Sequence, residues 1–137
     1  MSERNVENLR AWIERWNVEA WTRGGETDTS LLDPEVVYED TVLPDHVGET
    51  YRGYEGIVRA TQRWLEPFED VTLDLEEILG TGEHLVSIIR ARARARQTGI
   101  EFDMRYAYHW TFRDAKIIRG KSFLDPADAL KDAGLEQ

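Results

Sequence analysis

The residues best placed to do chemistry lie between Glu35 and Gly53, in the stretch EVVYEDTVLPDHVGETYRG. Val36, Tyr38 and Asp40 share one side of a short strand, Val36 to Asp40, which stops there and gives way to a loop leading into a helix. A carboxylate on the same face as a valine and a tyrosine, once withdrawn from water, is a candidate proton acceptor. Its plainer reading is a strand-end carboxylate hydrogen-bonded to the following loop. His46, in that loop, can exchange protons near neutral pH at the mouth of a pocket; its plainer role is that of a solvated loop side chain. His84, in a turn, and His109 read as structural. The three histidines show no ligand spacing, so no metal is expected.

The totals limit the function classes. One domain is expected of 137 residues, spanning positions 1–137, with five Trp, five Tyr and four Phe to line an interior. The net charge of −10 lacks the cationic footprint that sequence-independent nucleic-acid binding needs, and it disfavours an anionic membrane. Cysteine is absent, which removes disulfides and thiolate chemistry. The segment MSERNVENLR has no apolar core and does not read as a signal peptide. No apolar run approaches the roughly 20 residues of a membrane span, so a cytoplasmic protein is expected.

The elements that must position Asp40 follow from periodicity. Val6, Leu9, Ile13, Trp16 and Ala20 mark one face of a first helix, ended by Gly24-Gly25. Asp28 reads as the cap of a short second helix through Leu31 and Leu32, and Gly53 to Leu65 as a third, closed by Pro67. From Val71 the period changes to two, and three turns divide four long strands: the first from Val71, then Leu85 to Arg96, Ile100 to Phe112 and Ile117 to Leu124. Asp125-Pro126 starts a last short helix that Gly134 stops. Helices segregated against a mostly antiparallel sheet make an α+β domain, closed on one side into a cone.

Five segments in this order, Glu19-Ala20-Trp21, Asp33-Pro34-Glu35-Val36-Val37, Tyr51-Arg52-Gly53-Tyr54-Glu55-Gly56-Ile57, Trp110-Thr111-Phe112-Arg113-Asp114 and Leu124-Asp125-Pro126-Ala127-Asp128-Ala129-Leu130, resemble the SnoaL-like, or NTF2-like, superfamily. That group includes ketosteroid isomerases, polyketide cyclases and limonene epoxide hydrolases. The resemblance implies a curved mixed sheet on three N-terminal helices with an internal pocket, and a homodimer through the outer sheet face. Fold alone does not choose among enzymes, binding modules and assembly domains. Position by position, Tyr38-Glu39-Asp40 resembles the tripeptide that carries the base of ketosteroid isomerases, which the handling of charge in those enzymes pairs with an oxyanion hole. Tyr108 falls where they place the acid of that hole, and Asn17 or Val18 falls on their tyrosine position. Ser122 stands where related polyketide cyclases keep an acid/base aspartate, against their mechanism.

If Tyr108 faces inward, period two sends Phe102, Met104, Tyr106, Trp110 and Phe112 with it, and Glu101, Asp103, Arg105, Ala107, His109 and Thr111 outward. On the neighbouring strands Ser87, Ile89, Ala91, Ala93 and Ala95, and Ile118, Gly120, Ser122 and Leu124, then face the same space, where small residues leave a hollow. Arg90 to Arg96 form a charge ladder on the outside. The reading is a small-molecule-binding domain for a largely apolar organic molecule. As an enzyme it is a cofactor-independent isomerase or cyclase acting by proton abstraction next to a carbonyl, with Asp40 and Tyr108 catalytic. Asn17, Tyr38, His46, Trp64, Tyr106, Trp110 and Ser122 are the expected binding residues. The alternatives are a non-catalytic ligand-binding or dimerisation module, and an epoxide-hydrolase-like enzyme needing an inward Asp-Arg-Asp set.

Overall fold

A computed structural model describes residues 2–22, 29–41, 49–80 and 82–135, with side chains 3–16 in the first of these segments. Helix α1 (Ser2–Thr22) is followed by strand β1 (Leu32–Asp40), strand β2 (Glu49–Arg52) and helix α2 (Gly53–Leu65). Four strands come next: β3 (Phe68–Leu79), β4 (His84–Ala95), β5 (Glu101–Arg113) and β6 (Lys116–Phe123), and helix α3 (Pro126–Asp132) follows them. One six-stranded sheet has the order β2-β1-β6-β5-β4-β3. Only the β1–β6 pair is parallel, so the sheet is mixed.

Apolar spacing on α1 places Leu9, Trp12 and Ile13 in the main core, each at most 1% exposed. From α2, Ile57 and Ala60 pack into the same cluster, and the inner faces of β1, β3, β4, β5 and β6 complete it. Asp125 caps α3 as its sequence requires, accepting a hydrogen bond from the Ala127 amide at 2.9 Å, with Pro126 in the first turn.

Two expectations about elements change. Leu31 ends a turn and Leu32 begins β1, instead of closing a short second helix; Asp28 lies outside the described residues. Leu32 pairs with Ile117 on β6 and is 2% exposed, so burial and strand pairing outweigh the local helix signal. Of the three helices, therefore, α1 and α2 precede the long strands and α3 follows them. The connection after Asp40 also contains a strand: β2 pairs with β1, setting Tyr51 opposite Tyr38 and Glu49 opposite Asp40.

A third change concerns β6. The β5–β6 register slips between Thr111 and Phe112, so that Arg119 faces Thr111 but Ile117 faces Phe112. One extra residue reverses the facing of everything before it. Ile117, fully buried, takes the inward place expected of Ile118, while Gly120 and Ser122 keep theirs. Leu124, beyond the end of β6, is 58% exposed.

The outer face divides in two. Toward one end stands the arginine ladder: Arg90 with Asp103 at 2.6 Å, Arg92 with Asp74 at 2.7 Å, Arg94 with Glu69 at 3.8 Å, and Arg105 with Glu76 at 2.6 Å. All of these groups are well exposed, so water screens each pair and it adds little to stability. At the other end α3 covers the sheet, burying Val86, Ile88 and Ala107 against Ala129. His109 lies on this outward-facing side but is only 5% exposed.

Beneath α3, the His109 Nδ1–H donates to the Asp132 carboxylate at 2.7 Å. Its Nε2 then accepts from the Nδ1–H of His84 at 3.0 Å, a direction that the acceptor-only carboxylate dictates. Burial holds the His109 imidazole below its usual value of 6.5, and Asp132 opposes this only in part. The unfolded chain therefore takes up a proton at this position at higher pH than the folded one. Stability contributed here is present above about pH 6.5 and falls as the pH drops through and below it. Urea unfolding at pH 8 and pH 5.5 is expected to show lower stability at the acid pH, and His109→Asn is expected to shrink that difference.

Candidate active site

Direct cross-strand partners share a face, so register alone assembles the site. One rank across the sheet runs Leu85, Trp110, Gly120, Tyr38 and Tyr51. The next runs Ser87, Tyr108 and Ser122, and reaches Asp40 through the Ser122 hydroxyl, which donates to Asp40 Oδ1 at 3.3 Å. The parallel β1–β6 pairing is what brings the end of β1 beside Ser122, and the Thr41 amide donates to Ser122 Oγ at 3.0 Å. Val36, Tyr38 and Asp40 are all buried, and the carboxylate is only 3% exposed.

These ranks form one wall of a hollow whose empty space, counted out through its mouth, is about 750 Å³. Tyr38, Asp40, Tyr106, Tyr108 and Trp110 face it from the sheet. Helix α2 supplies Ile57, Thr61 and Trp64, and α1 supplies Trp12 and Trp16. Ser122 stands behind this surface as Asp40's support.

The phenols form a connected group. The Tyr108 hydroxyl lies 3.4 Å from that of Tyr106, and the Tyr108 and Tyr38 rings are 6.1 Å apart. Burial pushes all three phenols well above their ordinary value, and the negative charge of Asp40 pushes each in the same direction. Tyr51, one strand further out, is pushed up to about 12 by burial, with its hydrogen bond to Glu49 as the next cause. The pocket phenols are thus neutral hydrogen-bond donors at any ordinary pH, and Asp40 is the one carboxylate among the lining residues described.

Trp110 is fixed from several directions. Its indole N–H donates to Ser87 at 3.0 Å, its ring stacks on Tyr108 at 4.7 Å, and Trp12 meets it edge-on at 5.4 Å. The place beside it is Gly120, where a Cβ would stand 2.6 Å from Trp110 Cζ3 and 2.8 Å from Cε3. Gly120's missing side chain is thus filled by the indole, and does not add to the hollow as the small-residue pattern suggests. Gly120→Ala is expected to destabilise the fold by about 1–3 kcal/mol through overpacking. It should also shift the tryptophan emission, both read in one fluorescence-monitored urea titration.

Of the expected site residues, Asp40, Tyr38, Trp64, Tyr106, Tyr108 and Trp110 meet in this hollow. Ser122 supports it from behind. The side chain of Asn17 and all of His46 lie outside the described residues. Trp12 and Trp16 were missed as lining residues; their four-residue spacing on the apolar face of α1 signals burial but does not distinguish a core indole from a pocket wall. Asp103 and Arg105 face outward, paired with Arg90 and Glu76, so no inward Asp-Arg-Asp set forms from them. Among the described residues, no three His, Asp or Glu side chains gather in a metal-holding group, and no helix is long and apolar enough to cross a membrane.

Comparison with known proteins agrees with this fold. An NTF2-like protein of unknown function from Burkholderia pseudomallei superposes with a TM-score of 0.74 at 18% identity, over 97% of this chain and 98% of the other. A presumed SnoaL-like polyketide cyclase from Jannaschia sp. gives 0.70 at 17% identity, over 99% and 94%. A presumed isomerase from Bacillus subtilis gives 0.68 at 17% identity, over 98% and 95%. At such identities the likeness is one of fold. No curated protein matches the chain. The model of the SnoaL-like domain matches residues 9–120, most of the sequence and nearly every element of the pocket. The chain belongs to the SnoaL-like domain family.

Proposed function

We propose that the chain binds a small, largely apolar organic molecule in the aromatic hollow and moves a proton next to its carbonyl group. It would act as a cofactor-independent isomerase or cyclase. Asp40 takes the proton from carbon, and the electron pair left behind moves onto the carbonyl oxygen. Tyr108, within the phenol group it forms with Tyr106 and Tyr38, donates a hydrogen bond to that oxygen. The observation that carries this reading is a carboxylate 3% exposed that lines an aromatic pocket beside neutral phenols. The names of the Jannaschia and Bacillus subtilis neighbours lend it a family-level precedent. We place the protein in the cytoplasm as a homodimer joined through the outer sheet face.

The test is wash-in of solvent deuterium. Small aryl and cycloalkenyl ketones incubated in D₂O with the protein are expected to gain deuterium next to the carbonyl, read by mass spectrometry, and to gain none above background with Asp40→Asn. Equal exchange by both proteins would reject Asp40 as the base. No exchange by the wild type across the ketones would leave a binding module without turnover.

A further inference from the structure

Register brings two histidines together on the outer side of the sheet, away from the hollow. His84 opens β4 opposite Thr111, and His109 on β5 stands opposite Val86, so the two imidazoles are diagonal neighbours. Their spacing of 25 positions gives no sign of this, yet His84 Nδ1 and His109 Nε2 are 3.0 Å apart. His109 is buried beneath α3, whereas His84 is exposed. The Thr111 hydroxyl lies 3.5 Å from the same His109 Nε2. From β6, Arg119 and Lys121 stand opposite Thr111 and His109, and both pair with Glu39, at 3.0 and 3.6 Å.

Asp132 decides which nitrogen of His109 is offered. By accepting from Nδ1–H at 2.7 Å it fixes the tautomer and the ring, and leaves the Nε2 lone pair directed at His84. A carboxylate behind a histidine is the support that metal-ligating imidazoles have, and it raises their basicity. His84 need only move its proton from Nδ1 to its other nitrogen, with no change of charge, to turn a second lone pair to the same place. Two imidazole nitrogens bound to one Zn²⁺ at about 2.0–2.1 Å stand roughly 3–3.4 Å apart, close to the separation already present. His84, exposed at the first position of its strand, supplies the tilt that brings both lone pairs onto one ion.

We propose that His84 and His109 form a two-histidine site for a late first-row divalent cation, with Asp132 as the positioning residue of His109 and water completing the ion's shell. Neutral imidazoles suit zinc and copper and do not suit the hard magnesium ion. His109 lies on β5 and its carboxylate partner on α3, so the ion also ties helix to sheet: it polarises the ring and strengthens the hydrogen bond to Asp132. The site is independent of the chemistry in the hollow, which Tyr108 and Trp110 line from the other side of β5.

The probes are Zn²⁺, Cu²⁺ and Mg²⁺ salts, titrated by calorimetry against the whole chain in a buffer that does not bind metals. Zinc and copper are each expected to bind at one equivalent, copper the more tightly, and magnesium to give no saturable binding. His84→Ala, at an exposed position, keeps the fold and is expected to weaken zinc about tenfold or more. Asp132→Asn, which keeps the side chain's shape, is expected to weaken it about 10–100-fold. Zinc should raise the thermal midpoint of the wild type and leave that of His84→Ala in place. Unchanged zinc affinity in either variant, or no uptake of zinc and copper by the wild type, overturns the site.

Discussion

Asp40→Asn is expected to lower the rate of deuterium wash-in by about 10²–10⁴-fold, the usual contribution of a positioned general base. The substitution keeps the shape of the side chain and leaves an oxygen to accept the Ser122 hydroxyl, which now approaches Oδ1 at 3.3 Å. It also removes a charge from a site that is 3% exposed. Folding stability should therefore change little, so the thermal midpoint separates lost chemistry from lost structure. Tyr108→Phe supplies the complementary measurement. Its hydroxyl stands 3.4 Å from that of Tyr106, which can take over part of the donation, so the rate should fall by only about tenfold. Were Tyr108→Phe to cost more than Asp40→Asn, the assignment of base and donor would be wrong.

Trp12→Ala is expected to be the most destabilising single substitution, by about 3–5 kcal/mol. Trp12 is 1% exposed and joins α1 to the sheet, 4.7 Å from the Trp16 ring and edge-on to Trp110 at 5.4 Å. It also borders the hollow, so truncation enlarges an existing space that its neighbours cannot close. Trp110 is held in place by Ser87 and Tyr108, and Tyr108 by the phenols behind it. Urea unfolding followed by far-ultraviolet circular dichroism measures the loss. A ligand of the hollow should recover part of it by binding only the folded chain. A loss below about 1 kcal/mol would mean that α1 is not anchored through this indole.

The first helix, the helix from Gly53 to Leu65, the four long strands and the last helix, the wall Tyr106-Tyr108-Trp110-Phe112 and the buried alternation Val36-Tyr38-Asp40 were legible in the sequence because each depends on a local period. Strand parity is a property of neighbouring residues, and a buried face imposes it on every second side chain. The cap and first turn of α3 were legible for the same reason, since Asp125-Pro126 acts within four residues. The arginine ladder followed from the same alternation, although most of its partners, Asp74, Glu69 and Glu76, come from β3 and not from the facing stretch of β5.

Tertiary structure decided what local periods do not contain. A register slip between Thr111 and Phe112 put Ile117 inside in place of Ile118, because a bulge is set by how two distant strands meet. Strand pairing with β6 drew Leu32 out of the helix its neighbours suggested. The parallel approach of β1 to β6 set Asp40 beside Ser122, across 82 positions of sequence, and so turned a strand-end aspartate into a pocket carboxylate. The cover that α3 lays over Ala107 and His109 likewise reversed the exposure, though not the facing, of that end of β5. Sequence determined which side of each strand its residues would take, except on β6 before the bulge. Only the long-range pairing of strands and helices determined which of those sides lost its water, because burial is a property of what arrives from elsewhere in the chain.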